Sequence, residues 1–272
     1  MTALPCFEVQ AYALSDLGRV RSSNEDSFFV ADLTEKVIID KNGKLRFASG
    51  VRGSLFAVAD GMGGAAAGEM ASRVGLRTLY REIQDLSRDL RNRDGDLMQD
   101  ILIDSVGSAN SRIYELAQRN PEYSGMGTTL TVLLELYGLA VVGQVGDSRA
   151  YLLREDGIRQ LTRDQSLVAH RVSIGEITEE EARTHPERNI LLQALGVRPT
   201  VEVALRSFAV RPGDVFLLCS DGLHSQMSSS EIYSVVTESS SPEAACVDLI
   251  ELANQRGGPD NITAVLVQFL PA

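Results

Sequence analysis

Four apolar runs in this chain are each bounded by an aspartate set in a Gly- or Asn-containing turn. They are Asp60 in LFAVADGMGG, Asp147 in VVGQVGDSR, Asp221 in VFLLCSDGL and Asp260 in GGPDNITAVLV. A run that stops at a carboxylate reads as a buried strand delivering that carboxylate to the rim of a sheet. One such end is ordinary, but four imply oxygen ligands gathering around hard cations. The fold must then carry four strand ends to one place, and the chemistry expected there is metal-assisted hydrolysis.

The chain has 272 residues and 44% hydrophobic content, enough for a sizeable core. Its net charge of -11 opposes a phosphate backbone, so nucleic-acid binding is not expected. No Lys/Arg tract offers a membrane-surface patch. The longest apolar stretch, around 130–145, is broken by Glu135 and Gly138, so no membrane span is expected. Cys6, Cys219 and Cys246 are scattered and odd in number, which argues against a disulfide framework and for a reducing compartment. The first residues carry no basic segment leading into an apolar one, so no signal peptide is read. A cytoplasmic monomer is the expectation.

Strand patterns occupy Phe7–Ala13, Ser27–Ala31 and Leu55–Ala59, with an Asn-Gly hairpin signal at Lys41–Lys44. Helical periodicity covers Gly68–Gln84, with Leu76, Leu79, Tyr80 and Ile83 in one stripe, and Leu97–Gln118, with Leu102, Val106, Ala109, Ile113 and Leu116 in another. A polar loop, Asp85–Asp96, is expected between them. Thr128–Leu136, Leu139–Val145, Arg149–Leu153 and Ile158–Leu161 read as an antiparallel meander because their connections are short. The segment 161–197 reads as a polar surface excursion with a small helix at Thr178–Thr184, where Thr178 and Glu181 form a capping box. Strands Val201–Val210 and Asp214–Cys219, helices near Ser230–Thr237 and Pro242–Gln255, and a last strand Thr263–Phe269 complete the chain. Helix pairs between blocks of antiparallel strands imply an α+β fold, a four-layer α-β-β-α sandwich of two sheets face to face with helix pairs outside. No repeat or linker divides it, so residues 1–272 read as one domain.

Asp60-Gly61-Met62-Gly63-Gly64 is the centre of the candidate chemistry, because Gly61 lets its own carbonyl approach a cation closely. Taken alone, an Asp-Gly is more often a plain turn. Gly61–Ala66 also matches the G-x-G-x-x-A dinucleotide fingerprint. That reading is disfavoured because Asp60 would face the pyrophosphate and no parallel strand with a terminal acid follows. Asp221-Gly222 and Asp260-Asn261 are ordinary turn or cap sequences singly, but with Asp60 they form an oxygen-ligand set. Two divalent ions would need one bridging carboxylate, for which Asp60 is the candidate. His170, His185 and His224 lack zinc-site spacing and read as surface or packed residues, so Mg²⁺ or Mn²⁺ suits the site better. Arg21, beside Glu25 and Asp26, is either a surface ion pair or a bidentate phosphate clamp.

Six segments occur in the order seen in the metal-dependent protein phosphatase (PPM/PP2C) family, which the chain resembles in its bacterial branch from Val9 to Phe269. They are Gly18–Asp26 (GRVRSSNED), Val58–Gly64 (VADGMGG), Gly127–Leu130 (GTTL), Gly146–Arg149 (GDSR), Ser220–Leu223 (SDGL) and Asp260–Thr263 (DNIT). The resemblance implies the same α-β-β-α sandwich. It implies that Asp60 bridges two metals, with the Gly61 carbonyl on one and Asp221 and Asp260 on the other. Glu25 and Asp26 would hold metal-bound waters or ligate directly, and Asp147 with Asp221 would bind a third, weaker ion. Arg21 would grip the substrate phosphate, and 161–196 would be the flap beside the site.

Departures from the pattern are Met62, where eukaryotic members carry a His proposed as general acid; Ala65, where bacterial relatives often have His; Gln165, for a His in the flap; and Ser225, for an Asp or Thr near the third ion. The reaction that the resemblance implies is hydrolysis of phosphoserine and phosphothreonine in proteins, the products of a Ser/Thr kinase, by a hydroxide bridging two Mn²⁺ or Mg²⁺ ions. The alternative is a non-catalytic phosphoprotein-binding or partner-switching module of the same fold, whose mark would be missing carboxylates.

Overall fold

The computed structural model of the protein describes residues 7–86 and 95–272. In chain order its strands are β1 (Phe7–Asp16), β2 (Asp26–Asp32), β3 (Val37–Ile39), β4 (Gly43–Ala48), β5 (Ser54–Met62), β6 (Gly127–Thr128), β7 (Leu130–Leu136), β8 (Leu139–Val145), β9 (Arg149–Arg154), β10 (Gly157–Gln160), β11 (Ala204–Ala209), β12 (Val215–Cys219) and β13 (Ile262–Pro271). Its helices are α1 (Ala65–Leu86), α2 (Gly95–Arg119), α3 (Leu167–Ser173), α4 (Glu179–Thr184), α5 (Asp221–His224), α6 (Ser229–Glu238) and α7 (Pro242–Gln255).

Two antiparallel sheets form, one ordered β10-β9-β12-β13-β1-β4 and the other β11-β8-β7-β5-β2-β3, with β6 paired to β5. Side-chain alternation divides each central strand between two cores. Phe56 and Val58 of β5 face the other sheet, where they meet Val9, Val265 and Phe269. Leu55, Ala57 and Ala59 face the opposite way, into α1 and α2 through Leu79, Ile83, Leu102 and Val106. Ala264 and Leu266 of β13 likewise face Cys246, Leu249 and Ala253 of α7. Three apolar layers between four structural layers follow directly, and both sheets are covered on both faces. At the centre, the Phe269 ring meets Phe7, Phe56 and Phe216 edge-on at centroid distances of 5.6, 6.3 and 5.6 Å. Each such contact adds about 0.5–1.5 kcal/mol beyond area burial.

Two local expectations are corrected. The Asn-Gly signal at Lys41–Lys44 does not close a hairpin, because β3 pairs with β2 while β4 pairs with β1 in the other sheet. The middle strands are not one meander either. β7 and β8 pair, but β9 pairs with β10 and β12, so Gly146-Asp147-Ser148 carries the chain from one sheet to the other. In both places the next strand pairs within the other sheet. α1 and α2 extend into the expected polar loop to Leu86 and from Gly95, and its remainder, 87–94, lies outside the described residues, as does Cys6. Cys219 and Cys246 are buried free thiols. In the excursion after β10, the Thr178–Glu181 capping box is present, and α3 is an additional short helix capped by Ser166. Among the described residues no helix is long and apolar enough to cross a membrane.

Candidate metal centre

The sheet topology brings the acidic strand ends to one rim. β2 begins at Asp26, β5 reaches Asp60 just before its end, β8 stops before Asp147, β12 before Asp221, and β13 starts after Asp260. Arg21, Glu25, Asp60, Gly61, Met62, Asp147, Asp221 and Asp260 line one pocket, together with Asn189 and Leu191 of the excursion after β10. Asp26 is not on the pocket wall; it lies behind it, 8% exposed. Sequence reasoning therefore located every acidic position of the pocket, while Asn189 and Leu191 carried no signal of their own.

Asp26 and Asp60 are directly opposite one another in the antiparallel β2–β5 pair. Two acids in such a cross-strand position repel, the more so away from water. Asp26 Oδ2 accepts hydrogen bonds from Ser220 Oγ at 2.7 Å and Thr263 Oγ1 at 2.6 Å. Its Oδ1 is buried with no partner, and so is Asp221 Oδ1. Burial pushes the Asp26 carboxyl up to about 7, with Asp221 and Asp260 adding to it and the two hydroxyls opposing. Burial likewise raises Asp221 to about 6, helped by Asp260. Asp60 is raised well above the usual carboxylate range, first by burial and then by Asp26, Asp221, Asp147 and Asp260. Asp147 is raised too, by burial and then by Asp221 and Asp164. In each case the protein environment disfavours the ionised form.

The surroundings hold these acids in place. Asp60 N–H donates to Thr129 Oγ1 at 3.0 Å, and its carbonyl accepts from Thr128 Oγ1 at 2.9 Å. A side chain at Gly61 would run into the Gly68 carbonyl of α1, so only glycine allows the helix to start this close to the strand end. A side chain at Gly222 would strike the Asn261 carbonyl, which explains the glycine that follows Asp221. Asn261, 4% exposed, accepts from Glu25 N–H at 2.9 Å and donates to the Leu17 and Ser23 carbonyls at 3.0 and 2.9 Å. It staples the Arg21–Glu25 loop to the loop of Asp260. Asn261, Ser220 and Thr263 all sat in motifs singled out by sequence, but their supporting roles needed coordinates.

Arg21 Nη2 donates to Asp260 Oδ2 at 2.7 Å, with side chains 48% and 28% exposed. Among the described residues no three His, Cys, Asp or Glu side chains are closed into a ligand cage. Asp260 is turned onto Arg21. The donor chemistry nonetheless fits hard divalent cations, since buried carboxylate oxygens on Asp26 and Asp221 have no other partner. Burial lowers His224 to about 3, so its imidazole is neutral, and Nε2–H donates to the Asp147 carbonyl at 3.0 Å. His224 is a packed structural residue, as its spacing implied.

Comparison with known proteins identifies the family. The sequence profile of the family protein phosphatase 2C matches residues 43–270, a span that contains Asp60, Asp147, Asp221 and Asp260. The serine/threonine phosphatase stp of Listeria innocua is 35% identical over 254 residues, covering 93% of each chain. The serine/threonine protein phosphatase PstP of Mycobacterium tuberculosis is 39% identical over 258 residues, which are 95% of this chain and 44% of that one. The crystal structure of the PstP catalytic domain in complex with two manganese ions superposes with a TM-score of 0.78 at 36% identity, covering 97% of this chain and 99% of that one.

Proposed function

Because the chain belongs to the protein phosphatase 2C family, we propose that it is a metal-dependent phosphatase hydrolysing phosphoserine and phosphothreonine in proteins. The observation that carries this reading is the cross-strand opposition of Asp26 and Asp60, with unpartnered carboxylate oxygens on Asp26 and Asp221. Acids enclosed in this way are unfavourable unless cations share the site.

Asp60, the Gly61 carbonyl, Asp221 and Asp260 would hold two Mn²⁺ or Mg²⁺ ions. Glu25 and Asp26 support that set, and Asp147 with Asp221 would take a third, weaker ion. Bound ions supply an activated water and offset charge on the phosphoryl oxygens. The chain's own residues do the rest. Arg21 exchanges its exposed contact with Asp260 for the substrate phosphate, at small cost because such surface pairs contribute only about 0–1 kcal/mol. Ser220 and Thr263 keep Asp26 oriented, and Thr128 and Thr129 do the same for the backbone of Asp60. Met62 has no proton to give, and the His224 Nε2–H is engaged, so the leaving alkoxide takes its proton from water.

The substrates are phosphoproteins made by a Ser/Thr kinase, met by a monomer in the cytoplasm; the net charge of -11 and two buried free thiols support that setting. Phosphopeptide turnover measured side by side with Mn²⁺, Mg²⁺ and EDTA tests the reading. Activity should require a divalent ion, vanish in EDTA and return on adding Mn²⁺. Turnover undiminished by EDTA would contradict it.

A further inference from the structure

The turn that carries Asp147 between the sheets is held from the flap by Gln165. Its Oε1 accepts from Gly146 N–H at 2.8 Å, and its own N–H donates to the Gly146 carbonyl at 2.9 Å. The two bonds together satisfy both backbone groups of the buried residue preceding Asp147. The Gln165 carbonyl in turn accepts from Leu192 N–H at 2.8 Å. That last bond fastens the stretch that brings Asn189 and Leu191 to the pocket wall.

Neighbouring contacts keep Gln165 in place. Arg149 forks onto Asp164, with Nε 2.9 Å from Oδ1 and Nη2 2.7 Å from Oδ2. Gln144 accepts from Arg163 N–H at 3.0 Å and donates to the Gly146 carbonyl at 3.2 Å. The residues on the N-terminal side of Gln165 are thus anchored to β9 and β8, leaving its side chain aimed at Gly146. Without that side chain the Gly146 N–H would be buried and unpaired, and the turn would relax to recover a partner.

We infer that Gln165 is a positioning residue that holds the Asp147 carboxylate in register with Asp221 and couples it to the flap segment at the pocket. The inference rests on the reading above in which Asp147 and Asp221 take the weakest ion. Groups that orient a metal ligand without touching the metal commonly change its affinity by about 10–100-fold.

Calorimetric titration with Mn²⁺, alongside hydrogen exchange of the Gly146 amide in metal-free protein, tests this on the full chain. Gln165→Met removes the acceptor at similar volume; Gln165→Glu retains it. The methionine variant should weaken the weakest Mn²⁺ event by about 10–100-fold, leave the two tighter events in place and speed Gly146 exchange. The glutamate variant should restore both readouts. A methionine variant that binds every ion like the wild type overturns the inference, as does failure of the glutamate variant to restore binding. Only two Mn²⁺ events in the wild type would also overturn it while leaving the phosphatase reading standing. No Mn²⁺ binding at all would overturn both.

Discussion

Asp26, Asp60, Asp147 and Asp221 lie where strands end between the two sheets, whereas Arg21 and Asp260 stand on loops above them. The lower group is enclosed, and its members raise one another's proton affinity. The upper pair is partly open to solvent and joined by a 2.7 Å contact, while Asp260 Oδ1 accepts from Asn261 N–H at 2.8 Å. Acids of the same type therefore behave differently. Those at the strand ends are stored in an unfavourable state that cations or protons relieve. Asp260 is stored in a neutralised state that is easily exchanged. A phosphatase site needs both: a rigid seat for ions and a movable cation for the incoming phosphate.

The sharpest way to break this contrast is Asp60→Asn. Turnover should fall by on the order of 10³-fold, because a carboxylate proposed to hold the ions is lost. The metal-free variant should meanwhile melt no lower than the wild type in EDTA, since one repelling charge has gone. Phosphopeptide kinetics and a melting curve in EDTA check the two halves.

The second test is pH. Asp26 and Asp221 are raised to about 7 and about 6, above the roughly 3.9 of an unfolded Asp. Between those values the folded state binds more protons than the unfolded state. Their contribution to stability is thus fully present below about pH 4 and is lost as pH rises through 6 to 7. The melting point in EDTA should fall by several degrees from pH 5 to pH 8, and Mn²⁺ should raise it most at pH 8. A midpoint that rises over this range would remove the distinction between the two groups.

Arg21→Ala probes the upper pair. KM for a phosphopeptide should rise by about tenfold with a smaller loss in kcat, and the melting point should scarcely move, as expected for an exposed pair. Equal losses in kcat and kcat/KM would instead put Arg21 in the transition state alone. The smallest effect is expected of Met62→Leu, which lines the same pocket but has no proton to transfer. Its kcat should stay within about twofold, as for a volume-conserving exchange.

Local chemistry made much of this readable in advance. Apolar runs ending at Asp60, Asp147 and Asp221 are strand ends, the helical stripes of Leu79 and Ile83 and of Leu102 and Val106 are buried, and Thr178 caps its helix with Glu181. What local chemistry does not encode is which sheet receives the next strand. The turns at 41–44 and 146–148 look like hairpins because reversal is all that Asn-Gly or Gly-Asp-Ser specifies. Here both send the chain across the sandwich, and the second does so in a way that puts Asp147 at the shared rim. The supporting hydrogen bonds of Asn261, Gln165, Ser220 and Thr263 were equally hidden, since each links residues far apart in sequence.

The central claim is that carboxylates kept partly protonated by burial and mutual repulsion release those protons to seat divalent ions. Calorimetric titration of the metal-free wild type with Mn²⁺ near pH 6.5, in two buffers of different ionisation enthalpy, measures binding and proton release together. At least two ions should bind, with net protons released on binding. Absence of binding, or binding of a single ion with no protons released, would contradict the account.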